Sequence, residues 1–148
     1  MIKIRKAVPS DAEAIIEFQV KMAWETEKLA LDTDTVTRGV HAVYEKPVRG
    51  QYWVAEEEGN VVASLLITYE WSDWRCSDVW WFQSVYVIPS HRRKGIFRSM
   101  YAAIREEADR DGVPGLRLYV ELTNQRAQKT YEALGMSREH YAMYEWMK

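Results

Sequence analysis

A cluster of cationic side chains around one glycine is the first feature of this sequence that could support chemistry. Arg92, Arg93, Lys94 and Arg98 surround Gly95, and helical spacing follows. The first turn of a helix has backbone N–H groups without intrahelical acceptors, and it carries partial positive charge. Because glycine has no Cβ, an anion can approach the backbone closely there. The pattern indicates a phosphate-binding turn, although a solvated basic turn that caps a helix fits the same residues.

A second set of polar residues lies further along the chain. Asn124 and Tyr131 are about two helical turns apart, and Ala127 lies between them on the same face. A small residue between two polar side chains lets a ligand lie close to the helix. An N-cap asparagine and a half-buried tyrosine explain the same residues, so this spacing alone favours a structural role.

Carboxylates alternate with tryptophan in two further segments of the chain. Such residues suit an ammonium group, through ion pairing and cation–π contact. An acidic helix end and a loop fixed by tryptophan are the alternative interpretation. The residues expected to bind an amine substrate are Trp24, Glu25, Glu27, Trp71 and Asp73.

The elements that must position these residues alternate between strands and helices. Ser10 and Glu13 form a capping-box pattern, and Gly59-Asn60 is typical of a hairpin turn. The long strand and the strand after it are joined by a helix, so a right-handed crossover would make them parallel. We expect one mixed α/β domain over residues 1–148. Apolar spacing predicts strands near residues 2–7, 51–57, 61–69, 79–88, 116–121 and 141–146, and helices near 11–28, 31–46, 96–110 and 125–134.

Composition and charge argue against several classes of protein. The chain has 148 residues, with 20 Lys+Arg against 22 Asp+Glu, so it lacks the net positive charge that nucleic-acid binding requires. Cys76 has no disulfide partner, and the histidines lack metal-ligand spacing, so no metal is expected. No apolar run approaches the ~18 residues of a membrane helix. We expect a soluble cytoplasmic protein, monomeric or homodimeric, with no nucleic-acid or membrane partner.

Taken together, the two polar segments resemble the signature of the GNAT superfamily of N-acetyltransferases. The signature is a strand ending in hydrophobic-x-Val, then Arg/Gln-x-x-Gly-x-Gly/Ala, and later Asn-x-x-Ala-x-x-x-Tyr-x-x-x-Gly. The order of elements agrees along nearly the whole chain. The resemblance implies a central, mostly antiparallel sheet flanked by helices, with a parallel pair splayed at the cofactor site. One departure is Phe97, where the family has Gly or Ala. The matching segments are Val85-Tyr86-Val87, Arg92 to Phe97, and Asn124 to Gly135.

The resemblance implies that acetyl-CoA is the co-substrate. The cationic turn would bind its pyrophosphate, and the backbone at Val85 and Val87 would pair with its pantetheine arm. Asn124 would steady that arm, and Tyr131 would face the sulfur and protonate the leaving thiolate. An unpaired N–H near Val85 would polarise the thioester carbonyl. The residues implied to contact acetyl-CoA are Val85, Tyr86, Val87, Arg92, Arg93, Lys94, Gly95, Ile96, Phe97, Arg98, Asn124, Ala127 and Tyr131.

Acetyl transfer to an amine also needs a route for the amine's proton. Deprotonating an alkylammonium of pKa ~10.4 at pH 7 costs about 4.6 kcal/mol. Related enzymes often have a glutamate on the long strand, but Trp81 and Gln83 occupy those positions here, and neither accepts a proton. A relay through water is an equal alternative to a carboxylate. The carboxylates that remain as candidate bases are Glu70 and Glu121, and beyond them Glu25 and Glu27.

The sequence therefore predicts an enzyme that transfers an acetyl group from acetyl-CoA to a primary amine. A small cationic amine is favoured over a peptide N-terminus or a lysine side chain. The missing carboxylate at Trp81 and Gln83 supports a second hypothesis, a non-catalytic acyl-CoA sensor or interaction module on the same fold. The presence of Tyr131 favours the enzyme.

Overall fold

The chain separates into two compact units in a computed structural model that describes residues 1–148. The first unit is Met1–Arg117 and the second is Leu118–Lys148. The single domain expected over residues 1–148 stays a prediction. None of the helices is long and apolar enough to cross a membrane.

The first unit contains one five-stranded sheet and three of the four helices. The strands lie in the order β1-β2-β3-β4-β5, and neighbours are antiparallel except for the parallel pair β4–β5. This arrangement confirms the predicted mixed sheet, mostly antiparallel with one parallel pair. The elements of the first unit are β1 (Ile2–Lys6), α1 (Ala12–Glu27), α2 (Thr33–Glu45), β2 (Gln51–Glu57), β3 (Asn60–Ser72), β4 (Ser77–Val87), α3 (Ile96–Arg110) and β5 (Leu116–Arg117), and the second unit contains α4 (Gln125–Ala133).

Helices cover both faces of the sheet in the first unit. On one face, Ile15 of α1 and Val40 of α2 belong to one buried cluster with Val54 of β2. On the other face, Phe82 of β4 stacks on Tyr101 of α3, with ring centroids 5.6 Å apart. Successive side chains of a strand point to opposite faces, so each strand contributes to both layers of core.

The β2–β3 turn lies one residue earlier than the sequence predicts. Glu57 and Asn60 already pair across the hairpin, so the turn residues are Glu58 and Gly59 rather than Gly59-Asn60. Their φ angles are 50° and 81°. A two-residue hairpin turn needs two consecutive left-handed residues to match the twist of its strands. Glu58 and Gly59 meet this requirement, so the turn lies there.

The first helix also begins differently from the predicted capping box at Ser10. Pro9–Asp11 forms a short 3-10 turn, and the N-cap of α1 is Asp11. The Asp11 carboxylate accepts the Val8 N–H at 2.8 Å and pairs with Arg5 at 2.8 Å. Arg5 on β1 therefore binds the Asp11 carboxylate. The local Ser-x-x-Glu pattern does not reveal this ion pair.

The strands predicted near residues 116–121 and 141–146 are wrong in part. Strand structure near the first extends only over Leu116–Arg117, and residues 141–146 form no strand. Tyr144 and Trp146 are 94% and 85% exposed. Alternating apolar residues favour a strand, but a strand also needs a hydrogen-bonded neighbour along its length.

The second unit has α4 as its only regular element. The Asn124 side chain caps this helix by accepting the Ala127 N–H at 3.1 Å. Gln128 Nε2 donates to the carbonyls of Glu121 and Leu122 at 3.2 and 2.9 Å, which ties the preceding loop to the helix. Gly135, just beyond the helix, has a φ of 90°, as expected for a glycine at a helix end.

Candidate active site

A β-bulge interrupts β4 in the middle of the candidate site. The pairs Leu66–Gln83 and Ser64–Tyr86 enclose one residue on β3 but two on β4. The irregular residue is Ser84, whose φ is 53°. A left-handed conformation costs a non-glycine residue about 1 kcal/mol. Such strain persists only where the surrounding structure determines it, and it often marks functional sites.

The bulge exchanges the two faces of β4. Before it, Phe82 packs against Tyr101 of α3. After it, Tyr86 packs against Phe18 of α1, with ring centroids 5.2 Å apart. In a regular strand, Phe82 and Tyr86 would lie on the same face, because they are an even number of residues apart. The extra residue therefore turns Tyr86 towards α1.

Beyond the bulge, one edge of β4 presents N–H groups away from β3. β5 pairs with β4 only at Trp80 and Trp81. The Ile88 N–H donates to Val62 of β3 at 3.0 Å. Because successive N–H groups of an extended chain alternate in direction, those of Val85 and Val87 point to the opposite edge. An extended molecule that contains amides can pair with such an edge as an added strand.

The cationic turn follows β4 directly and leads into α3. Arg93 and Gly95 have φ angles of 62° and 75°, and Gly95 is the N-cap of α3. The N-cap has no side chain that could bond the first-turn amides. A Cβ built at Gly95 would meet no heavy atom within 4 Å, so space is open there. Arg93, Lys94 and Arg98 are exposed around it. The turn thus has the geometry of an anion site.

Phe97 fits this helix start despite its size. Its ring packs on Phe82 of β4 with centroids 6.0 Å apart and lies 6.3 Å from the Tyr101 ring. The side chain is directed into the core of the α3 face, while its N–H remains in the first turn of the helix. The departure from Gly or Ala at this position therefore leaves the backbone donor in place.

Arg92, unlike the other cations of the turn, is bound to other residues of the protein. Its Nε donates to the Val87 carbonyl at 2.8 Å, and its Nη2 donates to Glu25 Oε2 at 2.8 Å. The guanidinium carbon lies 5.3 Å from the centroid of the Tyr86 ring. The Tyr86 hydroxyl in turn donates to Glu25 Oε1 at 3.0 Å. The sequence predicted Arg92 at the pyrophosphate and Glu25 at the amine, whereas the structure joins them to each other.

The charges in this cluster influence one another. Its bond with Arg92 lowers the pKa of Glu25 below the ordinary value, and the Tyr86 hydroxyl lowers it further. Burial raises the pKa of Tyr86, and the neighbouring Glu25 carboxylate adds to that rise. At neutral pH the cluster therefore contains an ionised Glu25 and a protonated Tyr86. An ionised carboxylate of lowered pKa is a poor general base, so Glu25 is a weak candidate for that role.

The two residues of the later motif lie in α4, in the second unit. The Oδ1 atom of Asn124 caps the helix, which is the structural role predicted for this residue. Its Nδ2 can still donate to a ligand. Tyr131 is half-buried. Burial raises the pKa of Tyr131, so its phenol is protonated at neutral pH. This is the state that a proton donor requires.

The structure does not bring the two tryptophan–carboxylate segments together. Tyr86, the partner of Glu25, lies near the end of β4, while Trp71 pairs with Asp78 near its start. The intervening stretch of extended chain spans about 25 Å. Trp24 is 55% exposed, and the Lys28 ammonium lies 5.7 Å from its ring centroid.

The candidate bases Glu70 and Glu121 belong to different units of the chain. Glu70 on β3 accepts a hydrogen bond from Arg117 Nη1 at 2.5 Å. Glu121 is exposed in the loop before α4, in the second unit. Gln83, at a position where the family resemblance implies a glutamate, donates from Nε2 to Thr68 Oγ1 at 2.6 Å. The turn and both motifs are visible in the sequence, but the bulge at Ser84 and the partners of Arg92 have no signal in local sequence.

The model of the acetyltransferase (GNAT) family matches residues 16–136 of this chain. The chain belongs to this family. A possible acetyltransferase from Clostridium difficile 630 is 42% identical in sequence and superimposes with a TM-score of 0.91, covering 100% of this chain and 98% of that one. This membership confirms the resemblance inferred from the sequence and identifies an acetyltransferase fold.

Two further relatives show the range of the family. Mycothiol acetyltransferase of Corynebacterium aurimucosum is 26% identical over 130 residues, which are 86% of this chain and 43% of that protein. This chain therefore spans less than half the length of the curated relative it matches. The structure of AAC(6')-Iy in complex with the bisubstrate analog CoA-S-monomethyl-acetylneamine is 16% identical, with a TM-score of 0.81 and coverage of 100% of this chain and 99% of that one. At that identity the likeness shows a shared fold.

Proposed function

We propose that this protein transfers an acetyl group from acetyl-CoA to a primary amine. The observation that best supports the proposal is the continuity of two features along one stretch of chain. The open edge of β4 at Val85 and Val87 leads directly to the cationic turn at the start of α3. An extended amide-containing arm that ends in a pyrophosphate has this same order of groups.

Acetyl-CoA fits the residues present at this site. The amides of its pantetheine arm would pair with backbone groups around Val85 and Val87, as a strand pairs with a sheet edge. The pyrophosphate would lie against the first turn of α3, where backbone N–H groups and the helix dipole favour an anion. Arg93, Lys94 and Arg98 would neutralise its charge. Since the Arg92 guanidinium is already bound by Glu25 and Val87, we give it no direct contact with phosphate.

The reaction would proceed by attack of the neutral amine on the thioester carbonyl carbon. The carbonyl oxygen would accept a hydrogen bond from an N–H at the bulge, near Val85, where charge develops in the transition state. The carbon–sulfur bond would then break, and Tyr131 would protonate the leaving thiolate, in the role that the family motif gives it. The amine's proton would pass to Glu121 or to water, because Glu70 lies opposite Val79, about 20 Å along β4 from Val85, and is paired with Arg117. Transfer of that proton to the Tyr131 phenolate through solvent would restore the enzyme, and free CoA and a neutral amide would remain.

The proposed acceptor is a small cationic amine. Trp24 and Glu27 lie at the end of α1, close to Glu25 and therefore to the Tyr86 end of β4. A carboxylate and an indole together favour an ammonium group. Trp71 and Asp73 lie about 25 Å further along β4. They would contact only a long acceptor, such as a polyamine or an extended peptide.

The experiment that tests the proposal combines cofactor binding with thiol release. The purified protein, freed of carried-over ligand, is titrated calorimetrically with acetyl-CoA, and CoA release is then measured with short alkylamines, polyamines and peptides. Binding with one molar equivalent, followed by amine-dependent release of CoA, is the expected result. Binding without release for any amine would instead favour the acyl-CoA sensor. No binding by a folded protein would overturn the cofactor assignment.

A further inference from the structure

The carboxylate of Glu25 makes one hydrogen bond to the cationic turn and one to the strand before it. One oxygen accepts from Arg92 and the other from the Tyr86 hydroxyl, at 2.8 and 3.0 Å. These partners are far from Glu25 in sequence. We propose that Glu25 is a positioning residue for acetyl-CoA, which acts by holding Arg92 and thereby fixing the turn that binds the pyrophosphate. This inference rests on the function proposed above.

The contacts of Arg92 constrain its guanidinium from three sides. The Val87 carbonyl accepts from Nε, the Glu25 carboxylate accepts from Nη2, and the Tyr86 ring lies beneath the group at 5.3 Å. A guanidinium has a rigid planar arrangement of donors, so two bonds and one stacking contact fix its orientation as well as its position. Arg92 therefore connects the end of β4 to the end of α1.

Arg92 lies directly before a residue with a strained backbone conformation. Arg93 follows Arg92 and has a φ of 62°, a conformation that a non-glycine residue retains only when its surroundings determine it. Arg92, anchored by its side chain, fixes the start of this bend, and the N-cap Gly95 completes it. Arg93 and Lys94 are exposed in this bend, while the charge of Arg92 is compensated by Glu25.

The proposal differs in its consequences from two other roles for Glu25. If Glu25 bound the amine, its loss would leave the affinity for CoA unchanged. If Arg92 contacted the pyrophosphate directly, loss of Glu25 would release a cation towards the phosphates and strengthen binding. A positioning role requires that loss of Glu25 weaken CoA binding, and that this loss disappear once Arg92 is absent.

The experiment is a double-mutant cycle for CoA affinity, measured by calorimetry at two salt concentrations. The variants are Glu25→Gln, Arg92→Gln and the double variant, with Glu106→Gln as control. Glu106 also pairs with an arginine, Arg110, but at the end of α3 opposite the cationic turn. Because the Glu25 and Arg92 side chains are 37% and 44% exposed, we expect a modest effect. Glu25→Gln should weaken CoA binding about fivefold.

The remaining members of the cycle decide between the roles. The double variant should bind CoA no more weakly than Arg92→Gln. The salt dependence of binding should be the same in the wild type and in Glu25→Gln, since the number of cations that neutralise the phosphates is unchanged. A merely structural lesion would lower thermal stability without this non-additivity. Unchanged or tighter binding by Glu25→Gln, or strictly additive effects, would overturn the inference. Wild-type protein that does not bind CoA would overturn the proposed function itself, and this inference with it.

Discussion

Replacing Gly95 by alanine tests whether a phosphate approaches the start of α3. Gly95 has a φ of 75° and a ψ of 17°, a left-handed conformation that costs alanine about 1 kcal/mol relative to glycine. No heavy atom lies within 4 Å of the added Cβ, so no steric cost is expected in the free protein. Stability should therefore fall by about 1 kcal/mol, a decrease in Tm of about 3 °C for a chain of this size.

The effect on CoA binding should be larger than the effect on stability. The added methyl group would occupy the open space in front of the first-turn amides, where the pyrophosphate oxygens would accept hydrogen bonds. Losing one charge-assisted hydrogen bond costs about 2 kcal/mol. The dissociation constant for CoA should then rise about thirtyfold.

Gly112, just beyond the other end of α3, provides the control. Its φ is 70°, and a Cβ there would also meet no heavy atom within 4 Å. Gly112→Ala should thus lose the same stability and retain wild-type affinity. The assays are thermal unfolding by circular dichroism and calorimetric titration with CoA. If Gly95→Ala binds CoA as well as Gly112→Ala does, the placement of the pyrophosphate is refuted.

Three further changes test other parts of the structure. Tyr131→Phe should lower turnover at least tenfold in the thiol-release assay while leaving CoA affinity within about twofold, because only the proton donor is lost; equal turnover would remove Tyr131 from the mechanism. Asp11→Asn should lower the free energy of unfolding by about 2 kcal/mol, since a buried carboxylate loses its ion pair with Arg5. Arg5 lowers the pKa of Asp11 below its ordinary 3.8, so this stabilisation is complete above pH 3.8 and is lost as the pH falls through the lowered pKa. In denaturant titrations at acid pH, the free energy of unfolding should therefore change less with pH in the variant than in the wild type. Ser84→Val should cost about 2 kcal/mol and reduce turnover, because a β-branched residue resists a φ of 53°, whereas Ser84→Gly should be tolerated in both assays.

Local sequence signals predicted the parts of the fold that depend on short-range physics. The helix after Gly95, its end near Gly112 and the Asn124 cap all appear where capping and spacing place them. The predictions that the structure shifts by one residue depend on contacts between different elements. Asp11 replaces Ser10 at the start of α1, where its carboxylate also pairs with Arg5 on β1.

The candidate site likewise contains features that local sequence predicts and features that depend on contacts between elements. The cationic turn has a sequence signature because its anion-binding donors belong to one short segment. The contacts of Glu25 have none, since the residues that bond it are 61 and 67 positions away. The charge and position of Glu25 made it equally suitable for an ammonium group, and only the packing of α1 against β4 shows where its carboxylate is directed. Ser84 likewise has no local signal, because a bulge is defined by pairing with another strand.

The bulge at Ser84 means that β4 has one residue more than regular pairing with β3 needs. Removing Ser84 would restore regular pairing and leave Tyr86 opposite Ser64, so Tyr86 and the later residues of the strand would keep their faces. Tyr86 would still point towards α1 and Glu25. A deletion further from the bulge would instead move every residue between the deletion and the bulge to the opposite face. A one-codon deletion scan of β4 should therefore show a single narrow window of tolerated folding around Ser84.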